Sequence, residues 1–189
     1  MCIRDRLVRT NQRIKIVGDK SLSRRDFSRV IKPLNRFGVN IKSKKNCLPV
    51  EIQGTNFLRP IDYFEKKVSA QFKSAVMLAA LNTPCITKIK AKKSRNHTEI
   101  LFKYLKIPTK VKSREKYDQI EVLGLNQFKS FNYSVPGDIS SAAFFKVLTI
   151  LSHNSEIVIK DIYINKSRIG IIKILKRMNA KIKFQNKRI

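Results

Sequence analysis

Acidic residues are scarce in this chain: 13 Asp and Glu stand against 41 Lys and Arg in 189 residues, a formal charge of +28. With so few carboxylates, paired acid–base chemistry finds little support, and neither Glu156 nor Asp161 has a partner that would suggest it. Histidine is scarcer still. His97 falls at a strand–helix junction and His153 in a turn, and no Ser-His-Asp or Cys-His arrangement is legible around them. The cysteines, Cys2, Cys47 and Cys85, are odd in number and lack CxxC spacing. They point to a reducing compartment and to no metal site. No apolar run approaches the roughly 18 residues of a membrane span. Nor does a signal-peptide hydrophobic region follow the first basic residues. These absences predict a cytoplasmic protein with no membrane partner.

What is present begins with a 42% apolar content, enough for a real core in one or two domains. The charge favours anionic partners, whether phosphorylated metabolites, nucleic acid or an acidic surface. The lysines, however, run along the whole chain beside Ile, Asn and Phe, and most Phe and Tyr fall at core positions. A nucleic-acid module needs a localised basic face with interleaved aromatics. The expectation is therefore small anionic partners and no nucleic acid; a basic nucleic-acid-binding module stands as the alternative class.

The chain is organised around residues 69–81. Ser69 can cap a helix, and no Gly or Pro interrupts the stretch that follows. Phe72, Ala75, Val76, Ala79 and Ala80 mark one helical face, while Met77, Leu78 and Leu81 make the other side apolar as well. Such a helix belongs inside a domain. Its first turn is polar at Ser69, Gln71 and Ser74, and the free N–H groups there suit an anion.

Laid against itself, the chain repeats. The amphipathic pattern ending at Ile41 recurs ending at Val111 and again at Ile182, spacings of 70 and 71 residues. Ser69-Ala70 recurs as Ser140-Ser141, 71 residues on. The complete unit reads strand 58–64, helix 69–81, strand 85–91, helix 96–106, strand 109–114, strand 117–123. This is a βαβαββ unit. The unit before it reads strand 14–17, helix 24–37 (with Pro33 inside) and strands 39–43 and 48–53. The third unit carries the front part of the pattern and a strand at 180–184. One buried and one amphipathic helix per unit predicts an α/β (α+β) fold with helices inside and sheets outside, truncated at both ends. Each unit also sets an Arg near the start of its amphipathic helix: Arg24-Arg25, Arg95 and Arg168. A guanidinium there opposes the helix macrodipole unless an anion accompanies it.

Four segments carry a resemblance: Gly18-Asp-Lys-Ser-Leu-Ser-Arg-Arg25, Ser69-Ala-Gln-Phe-Lys-Ser-Ala75, Ser94-Arg-Asn-His-Thr-Glu99 and Val135-Pro-Gly-Asp-Ile-Ser-Ser-Ala-Ala143. In order and at these separations they resemble the 5-enolpyruvylshikimate-3-phosphate synthase family, the 3-phosphoshikimate 1-carboxyvinyltransferases. The resemblance runs from about Ile14 to about Lys183 and implies an inside-out barrel of βαβαββ units in two domains. Residues 1–13 then stand as an unassigned leader that matches nothing in the family, 14–133 as part of the first domain, and 134–189 as the crossover and the start of the second. The related enolpyruvyl transferase of cell-wall synthesis shares the repeat but not the Ser-Ala-Gln and Ser-Arg-Asn-His-Thr-Glu pair.

The resemblance implies transfer of the enolpyruvyl group of phosphoenolpyruvate to the 5-hydroxyl of shikimate 3-phosphate. The reaction releases phosphate, belongs to the route to chorismate and needs no metal or cofactor. By motif, Arg25 would hold phosphoenolpyruvate; Ser69, the backbone at Ala70, Ser94 and Arg95 would hold shikimate 3-phosphate; Gln71 would lie between the two. After Arg25 the family usually has Pro, where this chain has Asp26. Asp138 reads as an N-cap for the helix beginning near Ile139. The family's catalytic Asp and Glu and further Lys and Arg ligands are expected beyond Ile189, and its opening Lys-Ser and Asn-Ser/Ala-Gly-Thr motifs before Gly18. The resemblance thus predicts no catalytic residue within these 189, an inactive fragment of an enzyme monomeric at full length, or alternatively a non-catalytic remnant of the fold.

Overall fold

The computed structural model describes residues 8, 10–65, 68–126, 129–165 and 167–185. The chain forms two compact units that meet between Lys129 and Ser130.

The first repeat of the first unit runs through β1 (Arg13–Ile16), a single 3-10 turn at Leu22–Arg24, α1 (Ser28–Arg36), β2 (Asn40–Ser43) and β3 (Val50–Gln53). Its strands lie in the order β1-β3-β2, both pairs antiparallel. The register sets Ile14 and Ile41 on either side of buried Ile52, so one face is a row of isoleucines. The pattern placed this helix at 24–37, but it begins only at Ser28. Asp26 accepts both the N–H and the hydroxyl of Ser28, each at 2.7 Å, and that turn keeps the preceding residues out of the helix. Pro33 does sit inside α1, facing the core with Ile31 and Leu34. Burial of that face offsets the hydrogen bond that proline cannot make. Gly38, at φ +100°, closes the helix in the left-handed conformation glycine favours.

The second repeat is complete: β4 (Asp62–Glu65), α2 (Ala70–Ala80), β5 (Ile86–Lys92), α3 (His97–Tyr104), β6 (Thr109–Ser113) and β7 (Tyr117–Leu123). This is the βαβαββ order read from the sequence. The sheet order is β4-β5-β7-β6, parallel between β4 and β5 and antiparallel elsewhere. β4 starts at Asp62, later than the expected 58, because Pro60 has no N–H for a ladder. Ile89, Ala91, Ile120 and Val122 turn inward from β5 and β7, whereas Lys88 and Lys92 face out. Against that inner face lies α2, which packs in turn on α1. Phe72, Val76, Met77, Ala79 and Ala80 of α2 are each under 1% exposed, so the helix is buried almost all round. Helices inside and sheets outside is thus the arrangement of this unit.

The second unit contains α4 (Ser141–Leu151), α5 (Gly170–Arg177) and an isolated parallel bridge between Gly137 and Ile162. α4 begins 71 residues after α2, at residues 141 and 70, as the repeat predicts. The strand expected at 180–184 is not formed. A strand needs a partner for its backbone groups, and no ladder reaches these residues among those described.

Candidate functional site

Two helix starts come together in the first unit. Ser69, extended at φ −151° and ψ 108°, caps α2, its Oγ accepting the N–H of Phe72 at 3.3 Å. The amides of Ala70 and Gln71 precede the helix's own hydrogen-bond ladder and so carry the positive end of its dipole. Gln71 is exposed, while Ser69 and Ala70 are half-buried. At the start of α3, Arg95 is exposed and Ser94 half-buried. The Ser94 hydroxyl is sealed from water and makes no hydrogen bond, a vacancy for a polar group that an incoming ligand oxygen would fill.

Side chains one turn in hold the two starts together. Ser74 Oγ and Thr98 Oγ1 share a hydrogen bond at 2.7 Å, and Lys73 Nζ lies 2.5 Å from Glu99 Oε1. Ser69, Ala70, Gln71, Ser94 and Arg95 therefore belong to one cluster built on α2 and α3. Arg25 stands apart. It follows the 3-10 turn in extended conformation, φ −81° and ψ 139°, exposed, with its N–H on Leu22 O at 3.1 Å. No hydrogen bond or ion pair among the described residues joins it to Ser69, Gln71 or Arg95. No internal carboxylate among the described residues pairs with Arg25 or Arg95, so both guanidiniums face solvent uncompensated. Arg168 differs: its Nη2 donates to Asp138 Oδ1 at 2.9 Å and to Ser140 Oγ. The anion that justifies this third Arg is the chain's own aspartate. Asp138 also accepts the N–H of Ser140 at 3.0 Å, just ahead of α4, so it serves both groups.

Lys73 and Glu99 are what motif reasoning missed. The signal was there: Lys73 is the one charged residue in the apolar stretch 68–81. A groove on the outer face of the four-stranded sheet, lined by Asp62, Phe64, Lys88, Lys90, Lys110 and Glu121, holds none of the cluster's residues. Its register sets Asp62 beside Lys88 and Glu121 beside Lys88 and Lys110, so much of its charge is cancelled locally. Among the described residues no group of three or more His, Cys, Asp or Glu could hold a metal ion, and no helix is long and apolar enough to cross a membrane.

A repeat-built α/β scaffold whose buried helix presents a polar, capped start beside free guanidiniums defines a binder of small anions of the enolpyruvyl-transferase type. The family model of EPSP synthase (3-phosphoshikimate 1-carboxyvinyltransferase) matches residues 5–189. The protein named 3-phosphoshikimate 1-carboxyvinyltransferase of Clostridium tetani is 37% identical over 173 residues, covering 91% of this chain and 38% of its own length. That of Caldicellulosiruptor saccharolyticus is 40% identical over 172 residues, covering 89% and 40%. A solved EPSP synthase from Acinetobacter baumannii superposes with a TM-score of 0.84 at 34% identity, covering all of this chain and 42% of that one. The chain belongs to the EPSP synthase family, and it spans about two fifths of the length of these relatives.

Proposed function

We propose that this chain carries part of the substrate-binding surface of an enzyme that moves the enolpyruvyl group of phosphoenolpyruvate to the 5-hydroxyl of shikimate 3-phosphate. The new C–O bond forms at that hydroxyl, and the C–O bond to phosphate breaks. Both substrates are polyanions, so the chain's task is to supply positive charge and aimed N–H donors. Ser69, the amides at Ala70 and Gln71, Ser94 and Arg95 take shikimate 3-phosphate. The Gln71 side chain lies between the substrates, and Arg25 takes phosphoenolpyruvate. Residues 14–133 serve as part of one domain and 134–189 as the start of another, in a cytoplasmic monomer that uses no cofactor. The observation that carries this reading is the clasp of the α2 and α3 starts, which sets a capped helix terminus, an orphaned buried hydroxyl and a free guanidinium in one cluster.

Titration calorimetry in moderate salt tests it. Shikimate 3-phosphate is expected to bind about tenfold or more tighter than either shikimate or glycerol 3-phosphate, and Arg95→Ala to remove about tenfold of that. Equal binding of all three ligands would show only the attraction of a +28 chain for any anion. The 189 residues alone are expected to bind without turnover, and steady phosphate release from the two substrates would contradict this.

A further inference from the structure

Lys73 violates two ordinary expectations. It has no exposed surface, where a lone ammonium is costly, and it sits in the first turn of α2, where a cation opposes the helix dipole. Glu99 supplies the compensation, at 2.5 Å and with a side chain only 9% exposed. It occupies the first turn of α3, where a carboxylate is favoured. The contact is one of charge more than of directed hydrogen bonding. The ammonium meets no acceptor at hydrogen-bonding angles, and Glu99 Oε2 is buried without a donor. The pair also spans two different helices, at the level where Ser69, Gln71, Ser94 and Arg95 lie just outside it.

We infer that Lys73 and Glu99 are positioning residues for the anion site: they fix the spacing of the α2 and α3 starts, and their balanced charges leave the site's field to the helix ends and Arg95. The inference rests on the proposed substrate site. The second unit ties its own two helix starts with a different ion pair, Arg168 to Asp138, so an ionic link at this junction recurs with exchanged chemistry. Charge balance has a consequence that simple bracing lacks. Lys73→Met leaves a carboxylate buried under the site, whereas Glu99→Gln leaves an ammonium there. The first repels a bound phosphate and the second attracts it.

The experiment is a double-mutant cycle read by shikimate 3-phosphate calorimetry, with amide hydrogen exchange on the same proteins. Lys73→Met is expected to bind at least about tenfold more weakly than Glu99→Gln. Adding Glu99→Gln to Lys73→Met is expected to recover most of the loss, because no buried charge then remains. Exchange should speed up together at Ala70–Ser74 and Thr98–Ile100 in Glu99→Gln. Equal weakening in both single variants with no recovery in the double would overturn the inference while the proposed function stands. If the unaltered chain fails to bind shikimate 3-phosphate, the proposed function falls, and exchange still decides the linkage: loosening of one helix start alone refutes it. Should a single variant not fold, the double variant, free of buried charge, is expected to fold. Its failure to do so would count against charge balance.

Discussion

Asp26 shows how one residue reshapes the segment beside a ligand candidate. In the position where the family pattern has Pro, it fixes the start of α1 through two hydrogen bonds from Ser28. Those bonds, the backbone one first, hold its carboxyl below the usual aspartate range, with the nearby Arg29 and Lys32 adding to the effect. The lowered value means the cap is fully present above the ordinary titration of about 3.9 and is lost as pH falls through the depressed one. In a pH titration followed by NMR, the Ser28 amide is expected to shift with a midpoint below that ordinary value, and Asp26→Asn to abolish the transition. Gly124 offers a second test. A Cβ there would stand 2.0 Å from Thr83 O and 2.4 Å from Ala80 O, so Gly124→Ala must push β7 away from the end of α2. A loss of about 2 kcal/mol or more in urea unfolding is expected. At this scale the sequence showed Ser69 as a cap and Arg25 and Arg95 as candidates, because local spacing carries that information. It did not show Asp138 as the partner of Arg168, since the two meet only when 30 residues of chain fold back.

Elements were legible where their reason is local and illegible where it is not. α2 and α4 were both readable from apolar content and the 71-residue spacing, yet their surroundings differ. Seven residues of α2 are buried between α1 and the sheet, whereas α4 buries only Ala142 and leaves Phe144, Leu148 and Leu151 between 64% and 80% exposed. Lys146, on the same helix, has its ammonium pulled below the ordinary lysine range by partial burial. The strand expected at 180–184 failed for the related reason that a strand exists only with a neighbour. The pattern of Ala180–Phe184 alone could not say whether one was there. An apolar helix left this open favours self-association. Sedimentation of the 189-residue chain is expected to show concentration-dependent association that the paired change Phe144→Ser and Leu148→Ser reduces. Unchanged association would place the sticky surface elsewhere.

For the whole molecule, charge and fold must be separated. A formal charge of +28 draws any polyanion, and the lysines of the outer sheet face would do so without any site. The repeat supplies selectivity by seating a capped helix start, an orphaned serine hydroxyl and an unpaired arginine on one inner cluster. Because the chain spans about two fifths of its relatives, binding is a more direct test of this cluster than turnover. The decisive measurement is an amide chemical-shift map of the 189-residue chain titrated with shikimate 3-phosphate in moderate salt. The account predicts saturable shifts concentrated at Ala70, Gln71, Ser94 and Arg95. Shifts confined to Lys88, Lys90, Lys110 and Lys112, fading as salt rises, would contradict it.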